Sequence, residues 1–204
     1  GAVRTGKSTF IKRFMNLIVL PTMKDENEKN RANDELPQSS SGRTIMTTEP
    51  KFVPNEAASI RVDDEIDLSV RLIDCVGYMV EGAAGHMEEN EERLVKTPWF
   101  EYEIPFTKAA AIGTKKVITE HSTIGIVVTC DGSFGEIEAK RYEAPEEETI
   151  KQLKNLRKPF VVLLNTVHPY SKETKELARE KEEKYQAKVM PMNLEQLKKE
   201  DVYQ

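Results

Sequence analysis

Apolar side chains at Phe10, Ile11, Phe14, Met15, Leu17 and Ile18 recur at the three- and four-residue steps of a helix over residues 8–20, and Pro21 ends the pattern. The next stretch, 24–43, is polar and carries Ser39, Ser40, Ser41 and Gly42 in a row, which predicts an exposed, mobile loop. Strand-like runs follow at 59–62 and 68–76, the second ending at Gly77, and they read as an antiparallel hairpin with Asp63, Asp64 and Glu65 near its turn. Residues 78–92 carry Gly82, Gly85 and an acidic cluster and predict a long loop. Helical patterning resumes over 106–120. The continuous β-branched run 124–130 predicts a central parallel strand buried on both faces, closed by Asp131, Gly132 and Ser133. Pro145 and the three glutamates after it open a helix to about residue 157, because proline and acids both suit a helix amino end. Strands are expected at 160–164 and 188–192, with a heavily charged and mostly solvated helix over 171–186 between them. No internal repeat is visible.

Strands alternating with helices over 204 residues fit one α/β domain with a buried sheet. Hydrophobic residues at 38% and charged residues at 32% exclude a chain disordered throughout. The net charge of −5 argues against a protein built to hold nucleic acid, which needs a basic face. Cys75 and Cys130 sit in apolar runs, as small buried thiols do, and suggest no disulfide framework. No apolar run approaches the roughly 18 residues that span a bilayer, and nothing resembles a signal peptide, so the expected compartment is the cytoplasm.

The first eight residues fit G-x-x-x-x-G-K-S/T and run directly into the first helix, which is the context this phosphate-binding motif requires. Gly1, Ala2, Val3, Arg4, Thr5, Gly6, Lys7, Ser8 and Thr9 are therefore the expected phosphate cradle. Gly1 and Gly6 let backbone amides turn toward the phosphates, Lys7 is expected at the β and γ oxygens, and the Ser8 hydroxyl at Mg²⁺. Such a loop normally hangs from a buried strand, so the first strand is expected upstream of Gly1, with the numbering starting inside a longer protein.

Asp74 closes an apolar run and Gly77 follows in Asp-Cys-Val-Gly, a segment that places a carboxylate near Mg²⁺, in its first shell or just outside, and a glycine amide near the γ-phosphate. Either Thr47 or Thr48 is expected to bind Mg²⁺ and the γ-phosphate. Tyr78 stands where many GTPases carry the glutamine that orients water. Asn165-Thr-Val-His168 replaces the N-K-x-D of a guanine site, and a histidine lacks the two carboxylate oxygens that read guanine, so ATP is expected over GTP, with Asn165 and His168 at the base end. His86, His121 and His168 lack metal-ligand spacing. Trp99, Phe100, Tyr102 and Phe106 read as core packing, and Arg4 and Arg43 as solvated. The fold class that follows is an α/β three-layer P-loop sandwich, its central sheet mostly parallel with one antiparallel edge strand.

The segments GAVRTGKSTFIKRFM at Gly1, TTEP at Thr47, LIDCVGY around Asp74, TPWFEYEIPF at Thr97, HSTIGIVVTCDGSFGEI at His121 and NTVHP at Asn165 together resemble the stage IV sporulation protein A family, across essentially the whole chain. The resemblance implies an ATPase domain descended from translation-factor-type GTPases. It implies Lys7, Thr47, Thr48 and Asp74 as the residues that bind and cleave ATP with Mg²⁺. It further implies self-assembly into a static polymer, the base layer of the spore coat, on the mother-cell side of the forespore outer membrane. Family proteins carry further domains after this one, and they meet a small amphipathic membrane-binding peptide and other coat proteins through those regions, so membrane association is indirect. Two rival readings remain: a GTP switch that recruits a partner, and a scaffold that binds nucleotide without cleaving it.

Overall fold

The computed structural model describes residues 1–37, 49–61, 66–83, 86–88, 91–135 and 137–203. In these residues the chain divides into two compact units, one within Gly1–Gly6, Ser40–Pro50 and Cys75–Asn193, the other within Lys7–Ser39, Lys51–Asp74 and Leu194–Gln204.

In the second unit, the apolar period expected over 8–20 becomes α1 (Lys7–Phe14), a π-helical turn at Met15–Val19 and a 3-10 turn at Leu20–Thr22 that contains Pro21. Phe10, Ile11, Met15, Ile18 and Val19 are its buried side. The loop expected over 24–43 is instead helical in its first part, as α2 (Glu26–Asp34). Its start is set by Asp25, whose carboxylate accepts from the amides of Asn27 and Glu28, and Ala32 is its buried residue. Ser39, Ser40, Ser41, Gly42 and Arg43 lie outside the described residues. The hairpin is present and longer than its sequence pattern suggests. β1 (Lys51–Arg61) pairs antiparallel with β2 (Asp67–Asp74), from Lys51 opposite Asp74 to Arg61 opposite Asp67, with a register shift between Val53 and Ala58. The turn residues Asp63, Asp64 and Glu65 lie outside the described residues. The 3-10 turn Leu194–Gln196 packs on α1, and Arg13 Nη2 donates to the carbonyl of Leu197.

In the first unit, the loop expected over 78–92 contains a short antiparallel pair, β3 (Met87–Glu88) with β4 (Glu91–Glu92). A hairpin absent from the sequence reading follows, β5 (Leu94–Thr97) with β6 (Phe100–Pro105). It corrects the aromatic assignment: Phe106 is fully buried, whereas Tyr102 is 62% exposed and Trp99 and Phe100 are half-buried. Helix α3 (Phe106–Lys116) continues into a π-helical turn at Val117–His121, whose end is held by Lys158, its ammonium donating to the carbonyls of Ile118, Thr119 and Ser122.

The parallel sheet of this unit has the order β7 (Gly125–Cys130), β8 (Phe160–Asn165), β9 (Val189–Met192). Helix α4 (Glu143–Asn155) connects the first pair and α5 (Lys172–Tyr185) the second. Among the described residues β8, not β7, is the central strand, and Ile126 of β7 is 37% exposed rather than buried. The antiparallel β1–β2 pair is a sheet of its own, not an edge strand of the parallel one.

Helix α5 differs most from its sequence reading. Ala178 and Tyr185 enter the core formed by Val127, Ile150, Leu153, Val162, Leu164 and Val189, with Leu177 packed against it. Thr174, Leu177, Ala178, Lys181 and Tyr185 thus make a docking stripe whose small and polar members hide it from a hydropathy pattern. Under it Lys181 Nζ meets Glu146 Oε1 of α4 at 2.6 Å, and Thr129 Oγ1 donates to the other oxygen of Glu146. Glu146 is 1% exposed, so an acid read as a helix-start charge is a buried one, tolerable because both oxygens are engaged.

Candidate nucleotide site

The first six residues rest on an apolar floor. Ala2 and Val3 are buried with Val80, Ala83, Cys130 and Tyr142, and the segment is stitched to the chain after β2 by Val3 N donating to Tyr78 O at 2.9 Å and Tyr78 N to Gly1 O at 3.3 Å. A Cβ at Gly1 would collide with the carbonyl oxygen of Val128, so glycine is required there by close approach to β7. The segment then turns through left-handed conformations at Arg4 (φ 57°) and Gly6 (φ 102°). Arg4 costs on the order of 1 kcal/mol in that region, and left-handed turns of this kind make concave nests of amides suited to anions.

Two side chains hold the turn. Thr5 Oγ1 donates to Ala2 O at 3.0 Å, and Asn165 Nδ2, from the end of β8, donates to Thr5 O at 3.1 Å. Thr5 and Asn165 are both buried, so these bonds are hard to exchange for water. Tyr142 lies in the same floor, its phenol pushed up to about 12 mainly by burial. Burial likewise raises the Cys130 thiol and the Tyr78 phenol, the latter beside Gln152 and Glu148 of α4.

Gly77 follows with φ 91°, and its amide donates to Thr114 Oγ1 of α3 at 3.1 Å, a contact missing from the sequence reading. The adjacent buried pair Gly113 and Thr114 in the last turn of α3 is the signal available for it, since glycine inside a helix marks close packing. Of the two residues expected at the base end, Asn165 is buried and braces Thr5, while His168 is exposed, its amide donating to Thr166 Oγ1 at 3.1 Å. Ser133 ties the turn after β7 to this loop: it donates to Asp131 Oδ1 and accepts from Val167 N at 3.0 Å.

The second unit, taken by itself, carries the remaining described candidates. Lys7 and Ser8 open α1, and Ser8 Oγ donates to Asp74 Oδ2 at 2.7 Å, joining residues 66 positions apart in sequence. A hydroxyl and a carboxylate in contact form an all-oxygen donor set, which suits a hard cation such as Mg²⁺. Thr9 follows in α1. Thr47 and Thr48 lie outside the described residues. His121 is exposed and His86 half-buried, and among the described residues no cluster of three or more His, Cys, Asp or Glu could hold a metal.

Sequence comparison gives these features a family. The profile of the family described as stage IV sporulation protein A, ATPase domain, matches residues 1–204. The chain is 55% identical over 203 residues to the stage IV sporulation protein A of Bacillus anthracis, covering 100% of this chain and 41% of that one. It is 54% identical over 202 residues to that of Bacillus subtilis (strain 168) and 56% over 202 residues to that of Clostridioides difficile (strain 630), each covering 99% of this chain and 41% of the relative. The chain thus spans about two fifths of the length of these curated relatives. No solved structure matches. With its whole length inside that profile, the chain belongs to the ATPase-domain family of stage IV sporulation protein A.

Proposed function

We propose that this domain is a Mg²⁺-dependent ATP hydrolase whose cycle drives self-assembly of a structural layer of the spore coat on the forespore surface, on its cytoplasmic, mother-cell side. The observation that carries the enzymatic part is the 2.7 Å contact of Ser8 Oγ with Asp74 Oδ2, which joins the end of the phosphate-loop motif to the aspartate of the Asp-Cys-Val-Gly segment. The assembly part is supported by family membership alone.

In this reading the amides of the Gly1–Gly6 turn bind the phosphate oxygens, and Lys7 adds a point charge at the β and γ positions. Ser8 and Asp74 would hold Mg²⁺, which would supply charge neutralisation at the transferred phosphoryl group. Thr47 or Thr48 senses the γ-phosphate, and loss of that contact after hydrolysis switches the assembly surface. Tyr78 lacks the amide of a water-orienting glutamine, and its hydroxyl is turned away from solvent beside Gln152 and Glu148 of α4, so water is left without that orienting group. Slow turnover follows, of the kind that serves one event per assembled subunit. The partners in this reading are other copies of the same protein, with the membrane-binding peptide and other coat proteins meeting regions beyond this domain.

The test is hydrolysis of ATP against GTP by the full-length protein across a Mg²⁺ titration, with light scattering alongside and Lys7→Ala and Asp74→Asn as controls. ATP cleavage that precedes a rise in scattering is expected. Preference for GTP would replace the reading with a GTP switch, and polymer formed without cleavage would replace it with a nucleotide-bound scaffold.

A further inference from the structure

The Gly77 amide carries one hydrogen, and that hydrogen is already engaged. It points at Thr114 Oγ1, 3.1 Å away, and Thr114 is 1% exposed. Both residues belong to the same compact unit, so the contact is internal to it. At φ 91° Gly77 holds a backbone conformation that L side chains rarely adopt, so its own peptide can reorient where another residue's would not. Thr114 sits in the last turn of α3, which runs on into the π-helical turn anchored by Lys158, and it presents its hydroxyl from a fixed position.

This inference rests on the nucleotide reading above, in which the Gly77 amide is the group that approaches the γ-phosphate. One N–H cannot serve the hydroxyl and a phosphate oxygen at full strength. We propose that Thr114 is the resting partner of the Gly77 amide, a latch that a γ-phosphate must displace, and that it thereby sets how strongly the site prefers a nucleoside triphosphate over a diphosphate. The exchange runs toward the phosphate because an anionic oxygen accepts more strongly than a neutral hydroxyl, but the gain is reduced by the bond given up. A diphosphate offers no γ oxygen and leaves the latch closed. Thr114 acts through Gly77 and is therefore a positioning residue.

Thr114→Val keeps the shape and the branching while removing the acceptor; Thr114→Ser keeps the acceptor. In the full-length protein, binding of AMP-PNP and ADP is measured for parent and both variants, with KM and kcat for ATP alongside. The Val variant should raise the AMP-PNP to ADP affinity ratio by about 2- to 10-fold and lower KM with kcat little changed, while the Ser variant keeps the parental ratio. An equal shift for both nucleotides, or a fall in the ratio, overturns the latch. Should the Val variant melt below the assay temperature, hydrogen exchange at the Gly77 amide of the parent decides: AMP-PNP must change it relative to ADP, and identical exchange overturns the proposal. A parent that binds neither nucleotide sinks the nucleotide reading and the latch with it, whereas one that binds both without discrimination at the variants sinks the latch alone.

Discussion

The phosphate-loop motif and the base-end loop of this domain have parted company. At the phosphate end the phosphate-loop motif is complete, and the structure adds two contacts to it, Ser8 with Asp74 and Gly1 against β7. At the base end half of the usual equipment remains. Asn165 still spans to Thr5 O, while the position that reads guanine is an exposed histidine. The difference separates two positions that sit three residues apart, Asn165 and His168. Asn165 braces the turn at Thr5 through its carbonyl, whereas in the proposed reading the residue at 168 bears on base choice alone.

The largest effect expected from probing this contrast is at the phosphate end. Asp74→Asn keeps the shape and one acceptor oxygen for Ser8 but removes the carboxylate charge, and on the proposed reading it should cut ATP turnover by at least about 100-fold while shifting the Mg²⁺ titration to higher concentration. Asn165→Ala comes next. It strips a buried carbonyl of its donor, so stability should fall by about 1–3 kcal/mol in denaturant melts, and ATP and GTP affinity should weaken together. Weakening of one nucleotide alone would mean that Asn165 reads the base after all. His168→Asp, on an exposed position, should leave stability unchanged and move the GTP to ATP affinity ratio toward GTP by about 10-fold, roughly 1.4 kcal/mol. A ratio that does not move would place base selection elsewhere, for which Asp131 and Ser133 are the neighbouring polar groups. The smallest effect concerns the floor beneath the phosphate loop. Cys130 is buried with a thiol pKa raised by that burial, so iodoacetamide near neutral pH should modify half-buried Cys75 well before Cys130, as read by mass spectrometry.

What was legible in the sequence follows the same division. The loop, its helix, the hairpin leading to Asp74 and the three parallel strands each rest on local signals: fixed spacing, apolar period, β-branched runs. What escaped depends on partners far along the chain. The docking face of α5 reads as solvated because its members are Thr174, Ala178, Lys181 and Tyr185, whose value lies in what they meet. Glu146 reads as a surface acid because nothing near it announces Lys181, 35 residues on. The hairpin of β5 and β6 was missed because Trp99, Phe100 and Tyr102 look like core by composition, yet they decorate a two-stranded ribbon with room for solvent. Thr114 became visible only when α3 was seen against Gly77.

The buried pair of Glu146 and Lys181 also bears on how this domain responds to ionic strength. Mobile ions screen charges that they can approach, so the exposed pairs Lys184 with Glu147 and Lys172 with Glu176 fade as salt rises, while a pair whose side chains are 2% and 13% exposed is screened far less. The join of α4 to α5 therefore rests in part on a contact that mobile ions barely reach, and it should weaken less with added salt than the exposed pairs around it.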